Sequence, residues 1–253
     1  PGCATARRPR RISPNEKLNH ACIGVAGMGG NDLKNFHSHP RCQIVALCAV
    51  DRANLEKAAT LLPDARRYND WREMFAQEGD RIDSVNVSVP DHMHAAIAMT
   101  AIRAGKHVYC QKPLCHDVAE CRALTRAAQA AGVVTQLGTQ HAAGVGDRQA
   151  VQWLREGAVG KVRRVILCSN RPGAEKYRLP GPRPAAASPV PDRLAWDLWL
   201  GTAPERPFAP DIYHPVTWRS WQDFGPGWSG DIGCHIFDAV WKGLGLQAPL
   251  SVS

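Results

Sequence analysis

No run of this chain is long and apolar enough to cross a membrane as a helix. Nine cysteines are present, yet no two stand in a C-x-x-C pair, which removes the commonest zinc and dithiol frameworks, and no metal site is expected. Several of them fall inside predicted buried strands, and unpaired core thiols suit a reducing, cytoplasmic compartment. The apolar region that follows the basic start of a signal peptide is missing too, although paired arginines near the start leave export open. The 253 residues, 44% hydrophobic and 21% charged, have the composition of an ordinary soluble globular protein. That length holds one large or two modest domains.

The net charge of +8 is unevenly placed. Residues 1–20 carry Arg7, Arg8, Arg10, Arg11 and Lys17 against Glu16, a net +4 in a short tail. Such a segment reads as solvated and disordered, and neither a nucleic-acid nor a membrane partner is expected.

What is present is a regular alternation. The segment CIGVAGMGG at residues 22–30 is a short apolar strand running into glycines, after which a helix opens near Asp32. Glycines there let the backbone turn tightly and approach a pyrophosphate at the helix N-terminus. Residues 43–50 form a second strand, followed by a helix over 51–59, and residues 82–89 form a third strand. Pro90 ends it, and Asp91 caps a helix that runs through Met93, Ile97 and Ala101 to Gly105. Strands at 106–110 and 132–137 flank a helix at 117–131. Strands alternating with helices predict a doubly wound parallel sheet of Rossmann type, whose ligands lie at the carboxyl ends of the strands. Residues 24–30, 88–94 and 111–113 all fall at such ends. At the turn after the third strand, one of His92 and His94 is expected to face the cleft and the other solvent. His107 reads as a satisfied structural histidine.

After Gly138 the character changes. A loop holding Gln140 and His141 precedes a helix at 147–156 and a strand at 162–168. Six prolines then fall within residues 170–192, predicting an irregular excursion. Trp196, Trp199, Trp218, Trp221 and Trp228 follow. They read first as core and second as stacking surface for a sugar ring. Tyr213, His214 and Arg219 beside them are candidate substrate contacts. Residues 230–246 have helical period, so Asp231 and His235 project from one face. With a lysine supplied by the fold, a carboxylate and an imidazole on one face can move the proton of a sugar hydroxyl.

These motifs together resemble the glucose–fructose oxidoreductase / inositol dehydrogenase / rhizopine-catabolism family. The carrying segments are the glycine loop at 24–30, PDHMH at 90–94, AGKHVYCQKPL at 104–114 and GDIGCHIFD at 230–238. The segments WDLWLG at 196–201 and WRSWQDFG at 218–225 resemble a bacterial branch with poorly defined carbohydrate substrates. The likeness spans about residues 17–250. It implies NAD or NADP as cofactor, an N-terminal Rossmann domain over 21–138 and an α+β substrate domain over 139–253.

The resemblance also implies roles. Gly24, Gly27, Met28, Gly29, Asp51, Arg52, Pro90, His94, Gln111 and Lys112 would meet the cofactor. Lys112 would lie beside the reacting carbon, His235 would be the acid/base and Asp231 its partner. Gln140, Tyr213, His214 and Arg219 would touch a small carbohydrate-type substrate. The chemistry needs those types, because an imidazole accepts a hydroxyl proton near neutrality and a lysine cation stabilises alkoxide charge.

Three departures stand out. Gln111 replaces a glutamate, the glycine fingerprint is incomplete, and Ala49 stands where an acidic residue binds the adenosine ribose. Asp51 could reach the ribose instead, or Arg52 could favour a 2′-phosphate. The resemblance further implies strands beyond the last helix, so the second domain reads as truncated, with exposed sheet edges that put homo-oligomer formation in doubt. Two alternatives stand beside this reading. One is a glycoside-cleaving enzyme that needs the same residues and returns the hydride to bound NAD, and the other, favoured by Ala49, the altered glycine loop and the short C-terminus, is a non-catalytic nucleotide-binding regulator.

Overall fold

The computed structural model describes residues 8–169, 182, 184 and 187–252. Its centre is a six-stranded sheet of β1 (Leu18–Ile23), β2 (Cys42–Cys48), β3 (Arg66–Tyr68), β4 (Ser84–Val87), β5 (His107–Gln111) and β6 (Thr135–Gly138). The order is β3-β2-β1-β4-β5-β6 and every pairing is parallel. The chain winds outward from β1 to one edge and then to the other, so the ends of β1 and β4 meet at the reversal point, where such sheets bind ligands.

Local chemistry sets the helices. Asp51 caps α2 (Arg52–Ala59) by accepting from Ala53 N and Asn54 N, and Asp70 caps α3 (Trp71–Glu78) by accepting from Arg72 N. Asp117 and Glu120 close a capping box at the start of α5 (Val118–Ala131), which ends at Gly132 with φ 66°. One face of the sheet packs Ala21, Ile23, Val85, Val87, Val108 and Cys110 against α3, α4 (His94–Arg103) and α5. The other packs Cys22, Ile44 and Leu47 against α2 and α1 (Met28–Ser38). β4 is buried along its whole length, as a central parallel strand should be.

The expected strands at 22, 43–50, 82–89, 106–110 and 132–137 all appear, with shifted ends. β3 and α3 were not anticipated. The strand expected at 162–168 is absent: those residues are irregular and Ile166 is 80% exposed. Apolar alternation alone does not make a strand when no neighbouring edge takes up its backbone hydrogen bonds. Residues 8–20 are also not a free tail. Arg10 pairs with Asp83 at 2.7 Å and β1 already begins at Leu18. The proline-rich excursion falls mostly outside the described residues.

The second half builds on helices α6 (Val145–Arg155), α7 (Trp196–Leu200) and α8 (Gly227–Leu244). Trp196 stacks on Trp199 with ring centroids 4.8 Å apart, and Trp218, Trp221, Tyr213 and Phe224 close a buried aromatic cluster around them. That cluster is fastened to the sheet. Leu194 bridges Asp51, Ala195 N donates to Val50 O at 2.9 Å, and His92 Nε2 donates to the carbonyls of Trp199 and Leu200. Gly201 is required here, since its Cβ would lie 2.1 Å from Met93 Sδ at a φ of 54°.

Candidate active site

The glycine loop has the shape of an anion cradle. A Cβ on Gly24 would fall 2.2 Å from Ser88 O, and one on Gly29 would fall 2.2 Å from Gly24 O, so the turn closes only without side chains. Gly27 differs: it turns at φ 55° with open space above it, and it precedes α1 with no side-chain cap and no acidic residue in the first turn. Helix amides left open beneath bare backbone suit a pyrophosphate. Met28 at the helix start is 46% exposed on that rim. These residues fit the dinucleotide that the sequence implies.

Behind the loop lies a buried polar chain. His20 meets Ser84 and Asn86, Asn86 Nδ2 donates to Ser88 Oγ, and Ser88 Oγ donates to Asp32 Oδ2 at 2.7 Å. Gln111 Nε2 donates to both Asp32 oxygens, at 3.1 and 2.9 Å, while its Oε1 accepts from Lys112 N at 3.3 Å. Gln111 therefore turns inward and sets the backbone of Lys112 rather than facing the cofactor. A glutamate at 111 would oppose the Asp32 carboxylate, which gives this substitution a physical reason. Burial already pushes the Asp32 pKa up, against the two hydrogen bonds.

Lys112, at the end of β5, reaches across to α8. Its Nζ donates to the Asp231 carboxylate and, at 2.7 Å, to the Asp231 carbonyl. Arg219 comes from the 3-10 turn Thr217–Ser220, with Nε 3.9 Å from the other Asp231 oxygen and its guanidinium stacked on Trp218 at 4.2 Å. His235 follows Asp231 by one helical turn, and its ring meets His141 edge-on at 4.9 Å. The fold thus gathers Lys112, Asp231, Arg219 and His235, which are far apart in sequence.

Asp91 joins them and was missed as a site residue. It does not cap a helix. It starts a 3-10 turn, is 4% exposed, and its Oδ2 lies 3.1 Å from where a Gly225 Cβ would be. Burial pushes its pKa up to about 8; Asp231 adds to the rise, while Arg219 and Lys112 oppose it. The usable signal was its place in the turn that follows β4.

Several expected contacts are elsewhere. His94 is fully buried, its ring nitrogens 2.7 and 2.9 Å from the carbonyls of Pro113 and Val89, so it braces the loop after Lys112 and presents no atom to a cofactor. His92 is buried as well, so neither histidine of the turn faces solvent. Tyr213 is 2% exposed within the aromatic cluster and cannot touch a substrate there. His214 lies 3.5 Å from Asp51, at the end of β2. Asp51 itself is 3% exposed, consumed by its capping bonds and by Arg193 at 3.1 Å, and so offers no carboxylate to a ribose. Arg52 is exposed beside it, with Nη2 donating to Asp192 O at 3.1 Å. Pro90 is half-buried at the strand end, and Gln140, exposed after β6, donates to Tyr109 Oη at 3.1 Å.

Comparisons with known proteins bear on the family and the fold. Residues 18–139 match the model of an oxidoreductase family with an NAD-binding Rossmann fold, and residues 148–253 match that family's C-terminal alpha/beta domain. Levoglucosan dehydrogenase of Pseudarthrobacter phenanthrenivorans is 31% identical over 45% of this chain and 29% of its own length. D-apiose dehydrogenase of Paraburkholderia graminis is 28% identical over 57% of this chain and 38% of its own. The chain thus matches well under half the length of either relative. An oxidoreductase domain protein of Kribbella flavida superimposes with TM-score 0.63 at 26% identity, over 91% of this chain and 54% of that one. With both of the family's domains matched in order, the chain belongs to the glucose–fructose oxidoreductase / inositol dehydrogenase / rhizopine-catabolism family.

Proposed function

We propose that this protein transfers a hydride between a nicotinamide cofactor and a hydroxyl-bearing carbon of a sugar, polyol or glycoside. The observation that carries the reading is the Lys112–Asp231 pair at the carboxyl end of β5, with His235 one turn along the same helix. Relatives named for levoglucosan and D-apiose support a carbohydrate as the substrate class. Residues 21–138 would hold the dinucleotide, and residues 139–253 would present α8 to the substrate.

Gly24, Gly27 and Gly29 would admit the pyrophosphate, and the bound nicotinamide would supply the hydride chemistry. Lys112 has three N–H donors, two of which are held by Asp231. The third is left for the oxygen of the reacting hydroxyl, where the cation lowers the cost of alkoxide charge. Asp231 fixes the direction of that ammonium. His235 receives the hydroxyl proton during oxidation and returns it during reduction, with the exposed His141 ring edge-on against it.

The test is paired. Lys112→Ala and His235→Asn are each expected to lower turnover at least ~100-fold, the scale of a positioned acid/base or electrostatic group. Nucleotide binding, read by fluorescence titration, should persist. Unchanged turnover in His235→Asn would remove that residue from the mechanism.

A further inference from the structure

We propose that the substrate carries a carboxylate, so that the protein acts on an acidic sugar or polyol, and that Arg219 is the residue that holds the acid group. This rests on the hydride-transfer reading above and narrows it.

The argument begins with the charges that the fold brings together: Lys112, Arg219, Asp231 and Asp91. Lys112 takes Asp231 for itself, through the carboxylate and the main-chain carbonyl. Arg219 is left poorly served. Its Nε is 3.9 Å from Asp231 Oδ2, beyond hydrogen-bond reach, and its Nη1 is 3.4 Å from Val216 O, a weak contact. A guanidinium has five N–H donors in a rigid fork. Among the described residues, Arg219 is given that one long hydrogen bond.

The fork is nevertheless held in place. It lies on the Trp218 ring at 4.2 Å, and Trp218 is 5% exposed within the aromatic cluster. The turn that carries both residues packs on α8, beside the catalytic pair. A side chain fixed by stacking but short of acceptors is organised for a ligand it has yet to meet.

Asp91 does not serve as that missing anion. Its carboxyl accepts no hydrogen bond from a described residue, and burial pushes its pKa up to about 8, which favours the protonated form. The ionisable groups acting on it are Arg219, Asp231 and Lys112, from three different elements, and the Cys110 thiol senses it from β5. Burial also lowers the pKa of Arg219, the mark of a cation whose lost hydration is incompletely replaced. Asp91 is the charged neighbour that opposes this lowering, yet it takes none of the fork's N–H donors.

One spare guanidinium, flat and forked, matches one carboxylate in a bidentate pair. A phosphate ester brings a second negative charge that this cluster does not offset. Asp231 lies between the two cations, with Oδ1 on Lys112 and Oδ2 toward Arg219. The reacting hydroxyl and the acid group are thereby directed to opposite sides of a single carboxylate, and so to the same small molecule.

The experiment compares uronates with their neutral parent sugars at matched stereochemistry, and with the corresponding sugar phosphates, by initial rates of nicotinamide reduction. The acids are expected to have kcat/KM at least ~30-fold above the neutral sugars, the worth of a charged hydrogen-bonded pair. Arg219→Gln should bring the acid-to-neutral ratio close to one. Arg219→Lys, which keeps the charge but loses the fork, should leave an intermediate ratio and serves if the glutamine variant does not fold. Equal or better use of neutral sugars, a preference for phosphates, or an acid-to-neutral ratio that Arg219→Gln leaves unmoved would each overturn the proposal. Turnover of neutral sugars alone would leave hydride transfer standing. Turnover of no member of any series would remove both.

Discussion

Ala49 is the residue expected to decide how the adenosine end of a bound cofactor is read. A carboxylate at the end of β2 would bind the ribose hydroxyls and repel a 2′-phosphate. Alanine does neither, and the neighbouring Asp51 is buried by its cap, its ion pair with Arg193 and its contact with His214. Arg52 is the exposed charge that remains there. Relaxed selectivity is therefore expected, with NAD and NADP dissociation constants within about tenfold, or roughly 1.4 kcal/mol. Titration of both nucleotides against wild type and Ala49→Asp provides the check, and the variant should regain a preference for NAD. A wild type already strongly selective for NAD would defeat this account. The meeting of Lys112 with the helix that carries Asp231 and His235 agrees with the expectation from the motifs, and their roles in chemistry are the proposal above. The sequence was not legible at His94, Tyr213, Asp51 or Asp91, whose roles follow from burial and from partners tens of residues away.

At the scale of elements, strands with long apolar runs and helices with good caps could be read directly, because their causes are local. β3 is three residues long, with two arginines facing out, and had no pattern to detect. Residues 162–168 had the pattern but lack a partner edge among the described residues. The pairing of α6 with α8 is likewise invisible in sequence, and it holds the helix that carries Asp231 and His235. Gly243 is buried at that contact, and a Cβ there would lie 2.7 Å from both Cβ and Cδ1 of Leu154. Gly243→Val should separate the helices, at a cost of about 1–3 kcal/mol for overpacking. Urea denaturation measures that loss, and kcat should fall with it, because Asp231 and His235 share the displaced helix. Full stability in this variant would show that α6 does not brace α8.

The whole molecule combines buried titratable groups of opposite sign, and their sum fixes how its stability varies with pH. His20 and His92 are pushed down to about 4 by burial, and His94, His107 and His214 are lowered for the same leading reason. The unfolded chain binds protons on these histidines below about pH 6.5 while the folded one does not, so acid removes stability. Asp91 works in the other direction. With its folded pKa raised to about 8, the native state keeps a proton that the unfolded chain has lost above about pH 4. Between those values Asp91 lowers stability as pH rises, while the unfolded histidines, half-protonated at about pH 6.5, still outweigh it until about pH 7. Asp91 by itself removes about 2 kcal/mol between about pH 6.5 and 8, and the histidines return a comparable amount, so stability should level off near pH 7. The buried thiols of Cys22, Cys48, Cys110 and Cys115, all raised by burial, add a decline only where unfolded cysteine ionises, from about pH 8.5. Because the aromatic cluster is hydrogen-bonded to the sheet through His92 and residues 194–195, unfolding should appear as one cooperative transition. Thermal unfolding from about pH 6.5 to 8 tests this, with a nearly constant Tm expected for wild type. Asp91→Asn removes the group that opposes the histidines, so its Tm should rise by about 4–8 °C relative to wild type over that range. A variant whose Tm follows pH as wild type does would mean that Asp91 is ionised in the folded protein.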